Sequence, residues 1–273
     1  MTILVTGATG TVGKHVVSQL LDRGVKVRAV TRSPEKAQFP AGVEVVRGDL
    51  TQAETLQEAL QGVTGIHLIA ASIDGYESWK TDPNLIGLAA KAGVERVSVL
   101  VSYEEGALET TLMESAMQWT LLKPVEFMAN SIVDWQQSIS KEGIVREPFA
   151  SVRSSRVHEG DIASVSITAL LEDGHHGQSY YLTGSEALSR KEAVQVIANA
   201  IGQPIEFQEL SETEARLRWQ EQGYDEESIE FFVQMGKNPP EIGYTILPTV
   251  EQVTGRPAKT YAEWAEEHKT LFM

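Results

Sequence analysis

Short apolar runs rich in β-branched residues alternate with segments of helical period through the first half of the chain. This alternation constrains the fold more than any other feature. Ile3–Thr6 is the first such run. Val12, Val16, Val17, Leu20 and Leu21 then recur at helical spacing up to Gly24. Further strands are expected at residues 25–30, 43–49, 65–71, 94–102 and 119–124. A short helix or turn is expected at 34–39, and helices at 52–61 (capped by Thr51), 82–93 and 107–117. Strands separated by helices on short loops specify a parallel sheet covered on both faces. After about residue 124 the rhythm changes. A helix is expected over 126–140, strand and loop over 142–161, a helix over 161–172 and a strand over 177–184. A serine-capped amphipathic helix follows within 185–202, then a strand at 204–210. An acidic helical stretch over 211–236 has Trp219, Phe231 and Phe232 as anchors. Pro248 precedes one closing helix, and another carries Tyr261 and Trp264. The pattern divides the chain into residues 1–130, an α/β domain to which later segments can add strands, and a smaller α+β cap over 131–273.

The turn between the first strand and the first helix reads VTGATGTVG, with Gly7, Gly10 and Gly13 spaced three apart and Thr9, Thr11 and Val12 between them. In this context each glycine has a task. Gly7 makes the tight turn, Gly10 lets backbone approach a pyrophosphate, and Gly13 lets helix pack on strand. The helix N-terminus behind the turn offers free N–H groups and the positive end of its dipole to phosphate. A P-loop is excluded, because Lys14 is followed by His15 and the four-residue gap is missing. At the end of the second strand, where an NAD site usually places a carboxylate for the ribose hydroxyls, the chain has Arg32, with Lys36 nearby. A guanidinium there suits the 2′-phosphate of NADP, so NADP(H) is expected over NAD(H).

A net charge of −15 over 273 residues argues against nucleic acid as a global partner. With no cysteine there is no thiolate nucleophile, disulfide or Cys-metal site. The two adjacent histidines, His175 and His176, lie in an expected turn, and no H-E-x-x-H occurs, which disfavours a metal site. No G-x-S-x-G elbow is present. Asp161, after His158, is expected to cap the helix that follows. The N-terminus lacks a basic region before its first apolar run, and no apolar run approaches a membrane span, so a cytoplasmic protein without membrane contact is expected.

The segments ILVTGATGTVG, VRAVTRSPEKA, VEVVRGDL, NLIGLAAKAGVERV, WTLLKPVEFMAN, YYLTGSEALS and TGRPAKTYAEWAEEH together resemble the NmrA-like branch of the atypical short-chain dehydrogenase/reductases. That branch includes NADPH:quinone reductases, azoreductase-like proteins and redox-sensing regulators that bind the dinucleotide without turning it over. The resemblance covers nearly the whole chain. It implies a Rossmann-type doubly wound parallel sheet with a smaller C-terminal substrate domain. It also implies that Asp49 and Leu50 flank the adenine and that Ala70, Ala71 and Ser72 carry the cofactor across the end of the fourth strand. Lys123, Pro124, Val125 and Phe127 would line the nicotinamide end.

The superfamily's Tyr-x-x-x-Lys pair is missing from its usual place, where Val101 and Glu105 stand. A literal match, Tyr76 to Lys80, lies instead in the loop after the fourth strand. Tyr76 and Tyr103 are the weak candidates for a hydroxyl at the site, and Phe127, Met128 and Trp135 are candidates for an apolar wall against a flat substrate. The expected activity is hydride transfer from NADPH to a small flat electrophile such as a quinone, which solvent can protonate without a tyrosine acid. The alternative is a non-catalytic NADP(H)-sensing regulator. An isomerase or epimerase is disfavoured by the lost pair, and a homodimer is left open.

Overall fold

The structure, a computed structural model, describes residues 1–74, 77–101 and 105–273, without the side chains of residues 71–79. In chain order its elements are β1 (Thr2–Val5), α1 (Gly13–Asp22), β2 (Lys26–Thr31), β3 (Val43–Arg47), β4 (Gly65–Ile69), β5 (Ala71–Asp74), β6 (Glu77–Lys80), α2 (Asn84–Lys91), β7 (Arg96–Leu100), α3 (Ala107–Met113) and β8 (Gln118–Pro124). Then come α4 (Asn130–Glu142), β9 (Ile144–Pro148), β10 (Arg153–Ser154), α5 (Glu159–Leu171), β11 (Gln178–Leu182), β12 (Leu188–Ser189), α6 (Arg190–Ile201), β13 (Glu206–Leu210), α7 (Glu212–Glu221), α8 (Glu226–Lys237), α9 (Thr249–Thr254) and α10 (Tyr261–His268).

The chain forms two compact units. The first comprises Met1–Pro124, Glu159–Leu182 and Gln252–Gly255. Its centre is a seven-stranded sheet in the order β11-β8-β7-β4-β1-β2-β3, and every neighbouring pair is parallel. From β1 the chain builds outward through β2 and β3, then returns to the other side of β1 with β4, β7 and β8. The direction of winding therefore reverses between β1 and β4, where open α/β sheets bind ligands at the carboxyl ends of their strands. Strands buried on both faces read as continuous apolar runs rather than alternating ones, and Ile3, Leu4 and Val5 are all fully buried. One face is covered by α5, which buries twelve of its thirteen residues against α1, β4, β7 and β8. A helix apolar nearly all round belongs inside a protein. Its small residues let α1 approach, so that Gln19 donates to the Gly160 carbonyl at 2.9 Å and accepts from Ser164 Oγ at 2.9 Å.

The second unit comprises Val125–His158, Thr183–Glu251 and Arg256–Met273. Its core gathers Trp135 and Ile139 of α4, Val145 of β9, Ile197 of α6, Tyr261 and Trp264 of α10, and Phe272. Tyr261 and Trp264 stack at 5.2 Å. Arg156, 4 % exposed, donates from Nε to Glu126 Oε1 at 3.0 Å, with the rings of Trp135 and Tyr261 on its guanidinium. The buried charge is thus paired, as burial requires.

Several local expectations are corrected. Residues 52–61 form no α-helix. A single 3-10 turn spans Ala53–Leu56, because local side chains take the backbone groups a helix would use. Asp49 Oδ1 accepts from both the N–H and the hydroxyl of Thr51, and Thr55 Oγ1 accepts from Asp49 N–H and donates to the Gln52 carbonyl. The expected helix over 126–140 starts only at Asn130, after a turn at 128–129, since Phe127 bridges Val157 and Met128 N–H donates to the Val157 carbonyl. α3 ends at Met113, short of residue 117. The acidic stretch over 211–236 is two helices, broken around Gly223 at φ +89° and restarted by the Asp225 cap. Asp161 does not precede its helix: it lies within the first turn of α5, buried, where a carboxylate favours the helix dipole.

Candidate functional site

The glycine turn connects β1 to α1, and its shape depends on two of its glycines. Gly7 has φ +57°, and Gly10 N–H closes the turn on the Gly7 carbonyl at 2.8 Å. A Cβ on Gly13 would lie only 2.1 Å from that same carbonyl oxygen. Thr9, Gly10 and Thr11 are exposed on the outer surface of the turn, while Val12 and Gly13 are buried beneath it. No side chain caps α1, whose N-cap position is Val12. By contrast Ser189, Ser211, Asp225 and Thr260 each cap a helix elsewhere. In the first turn Lys14 N–H donates to the Gly10 carbonyl at 3.1 Å, and His15 and Val16 N–H donate to the Val12 carbonyl. A helix N-terminus with no side-chain cap hydrogen bond is the arrangement that seats phosphate. This backbone fits the pyrophosphate of a dinucleotide.

Since all seven strands run the same way, everything that follows a strand emerges at one edge. The turn after β1, Arg32 after β2, Asp49 and Leu50 after β3, Ala70 with Ala71 and Ser72 after β4, and Lys123 with Pro124 at the end of β8 all stand at the carboxyl edge. Within that common edge their surroundings differ. Arg32 and Lys36 are exposed. Asp49 uses one carboxylate oxygen to brace Thr51. Leu50 and Ala70 are buried, and their carbonyls accept from Asp82 and Thr81 N–H. Ala71 and Ser72 open β5, which pairs with β6. Lys123 is half-buried and ion-paired with Glu105, and its ammonium lies 5.4 Å from the Tyr181 ring centroid. Thr6, fully buried, ties the ends of β1 and β4 together: its hydroxyl donates to the His67 carbonyl and accepts from Ile69 N–H.

Residues 7–107 match the NAD(P)H-binding family. Over 99 % of both chains the sequence is 32 % identical to the (4-alkanoyl-5-oxo-2,5-dihydrofuran-3-yl)methyl phosphate reductase of Streptomyces griseus. It is 30 % identical, again over 99 % of both, to the NAD(P)H azoreductase of Xenophilus azovorans. The chain belongs to the family of NAD(P)H-dependent oxidoreductases that includes these two reductases. The Escherichia coli quinone oxidoreductase QOR2, solved in complex with NADPH, shares the fold with a TM-score of 0.79 at 24 % identity, covering 97 % of this chain and 99 % of that one.

In this oxidoreductase Val101, which follows β7, is buried, and Glu105 is the partner of Lys123. The candidate hydroxyls Tyr76 and Tyr103 lie outside the described residues. Of the proposed apolar wall, Met128 has no exposed surface and Trp135 only 3 %. Both are members of the second unit's core, so neither has a free face to line an open pocket, and Phe127 alone is partly exposed. Sequence reasoning missed Thr6, Arg47, Glu105 and Tyr181. Arg47 donates to the Arg32 carbonyl at 2.8 Å and to Glu35 at 3.0 Å. The only cue in the sequence was that Arg47 ends a strand adjacent in the sheet to the one that Arg32 follows. Among the described residues no cluster of His, Asp and Glu has the arrangement of a metal site, and no helix is long and apolar enough to cross a membrane.

Proposed function

We propose that the chain reduces a small flat electrophile of the quinone or azo class, using NADPH in preference to NADH. The observation that carries this reading is the carboxyl edge itself. There a guanidinium after β2, the glycine turn and uncapped helix after β1 and a half-buried lysine at the end of β8 follow one another across the sheet, the order that 2′-phosphate, pyrophosphate and nicotinamide have in a dinucleotide. The name of the azoreductase that matches over 99 % of both chains supports this class of acceptor. The dinucleotide, when bound, supplies the hydride. The protein's own part is to bind, orient and exclude water. The turn at Gly7–Gly13 offers N–H groups to the pyrophosphate, with Thr9 and Thr11 hydroxyls at its rim. Arg32, assisted by Lys36, meets the 2′-phosphate. Asp49 and Leu50 flank the adenine, and Ala70, Ala71 and Ser72 carry the cofactor across the switch point. Lys123 and Pro124 border the nicotinamide end, and the second unit serves as the substrate domain. The protein acts in the cytoplasm, and a homodimer is compatible with this reading.

The test is oxidation of NADPH, followed by its absorbance, against a panel of quinones, azo dyes and enones. Turnover with at least one acceptor is expected. Tight NADPH binding without turnover on any acceptor would favour the dinucleotide-sensing alternative and overturn the enzymatic reading. Cofactor choice is tested separately with Arg32→Ala. A charge-assisted bond to phosphate contributes about 1.5–3 kcal/mol, so NADPH should weaken about 10- to 150-fold while NADH changes little. Equal weakening of both cofactors would show that Arg32 does not read the phosphate.

A further inference from the structure

The carboxyl edge carries a second guanidinium next to Arg32, held in an unusual way. The register of β2 and β3 sets Thr31 opposite Arg47, and Gly48 N–H donates to the Thr31 carbonyl at 3.1 Å. The Arg47 side chain therefore leaves β3 beside the residue that follows β2. Its Nη1 donates to the Arg32 carbonyl at 2.8 Å, and its Nη2 donates to Glu35 Oε2 at 3.0 Å. Glu35 lies in the single 3-10 turn Pro34–Lys36, so one carboxylate stands between the two cations expected at the phosphate, Arg32 and Lys36. Arg47 and Glu35 are 69 % and 58 % exposed at their side chains. An ion pair this exposed is weak. A phosphate monoester carries nearly twice a carboxylate's charge and three acceptor oxygens, and arginine's planar fork suits it better than one carboxylate oxygen does.

We propose that Arg47 is a second specificity determinant for the cofactor's 2′-phosphate, and that Glu35 is a resident competitor occupying Arg47 when no such phosphate is bound. On NADPH binding, Glu35 gives up Nη2 and the phosphate takes its place, while the bond from Nη1 to the Arg32 carbonyl keeps Arg47 beside the turn. With NADH, Glu35 keeps its hold. The pair therefore lowers NADPH affinity slightly below what the cations alone would give. The inference rests on the placing of the 2′-phosphate at Arg32 made above.

The distinguishing variant is Glu35→Gln. Removing the competitor should tighten NADPH about two- to fivefold, the scale of an exposed ion pair, with NADH unchanged. Arg47→Ala should weaken NADPH about 5- to 20-fold and spare NADH. In the double variant Glu35→Gln/Arg47→Ala the gain from Glu35→Gln should vanish. Dissociation constants for NADPH, NADH, adenosine 2′,5′-bisphosphate and 5′-AMP would be measured by calorimetry on all four proteins, with Arg32→Ala alongside. A gain that survives in the Arg47→Ala background would mean that Glu35 acts only through bulk charge, and would overturn the proposal. So would an Arg47→Ala loss shared equally by NADPH and NADH while Arg32→Ala still discriminates. Failure of Arg32→Ala itself to discriminate would instead remove the placing of the phosphate on which the proposal stands.

Discussion

Gly10 and Gly13 share one motif but fail differently when substituted. A Cβ on Gly13 would come within 2.1 Å of the Gly7 carbonyl oxygen and 2.9 Å of Ala8 Cα, both backbone atoms with nowhere to move. Gly13→Ala is expected to cost about 1–3 kcal/mol of stability, the scale of forced overpacking, as well as cofactor binding. At Gly10 the nearest atom is the same oxygen at 3.1 Å, a tight but tolerable contact, and the residue faces outward. Gly10→Val should therefore keep its melting temperature within a few degrees while losing dinucleotide binding in calorimetry. A Gly10→Val protein that binds NADPH normally would place the pyrophosphate elsewhere. These glycines were legible in the sequence because their task is local: a turn needs positive φ or the absence of a Cβ, and spacing reports both. The ion pairs of Arg47 with Glu35 and of Lys123 with Glu105 were not legible, because each depends on which strand ends become neighbours in the folded sheet.

At the scale of elements, the parallel sheet followed from the alternation of periods, whereas the 3-10 turn at Ala53–Leu56 did not. Its sequence has helical propensity, but Asp49, Thr55 and Asp82 hydrogen-bond the backbone first. Asp82 is held below the usual carboxylate range chiefly by the N–H groups of Asn84 and Ala53. A second effect hidden from sequence lies where β4, β7 and α5 meet. His67 Nδ1 pairs with Ser166 Oγ at 2.8 Å, Ser166 pairs with Ser98 at 2.7 Å, and the imidazole is wholly buried. Burial lowers the His67 pKa to about 4, so the folded state holds it neutral. The unfolded chain protonates near 6.5, and between those values it binds a proton that the native state refuses. The resulting stability is complete above about pH 6.5 and is lost as pH falls toward 4, to a total of about 3 kcal/mol. Urea midpoints should drop steeply between pH 7 and 5, and His67→Leu, which leaves the two serines bonded to each other, should flatten that slope. An equally steep slope in His67→Leu would assign the acid sensitivity to other groups.

At the scale of the whole molecule, the chain leaves the first unit after Pro124 and returns to it at Glu159, delivering α5 and β11. Two consequences follow for any fragment ending at residue 130, where the rhythm of the sequence changes. Without β11, the outer hydrogen-bonding edge of β8 is left open, and an unpaired parallel edge invites association. Without α5, the sheet face that carries His67 and Ser98 loses its cover. The side chains of Ile162, Val165, Ile167 and Leu170, each at most 1 % exposed, are lost with it. At about 1.5–3 kcal/mol for each large apolar side chain, these alone contribute on the order of 6–12 kcal/mol, as much as the entire net stability of a typical domain. Residues 1–130 are therefore expected to show no cooperative thermal transition and to aggregate at micromolar concentration, although they contain the whole glycine turn and Arg32. The intact chain should unfold cooperatively under the same conditions. A sharp transition in the 1–130 fragment, with NADPH still bound, would show that the first six strands of the parallel sheet suffice and that α5 and β11 are additions to a finished domain.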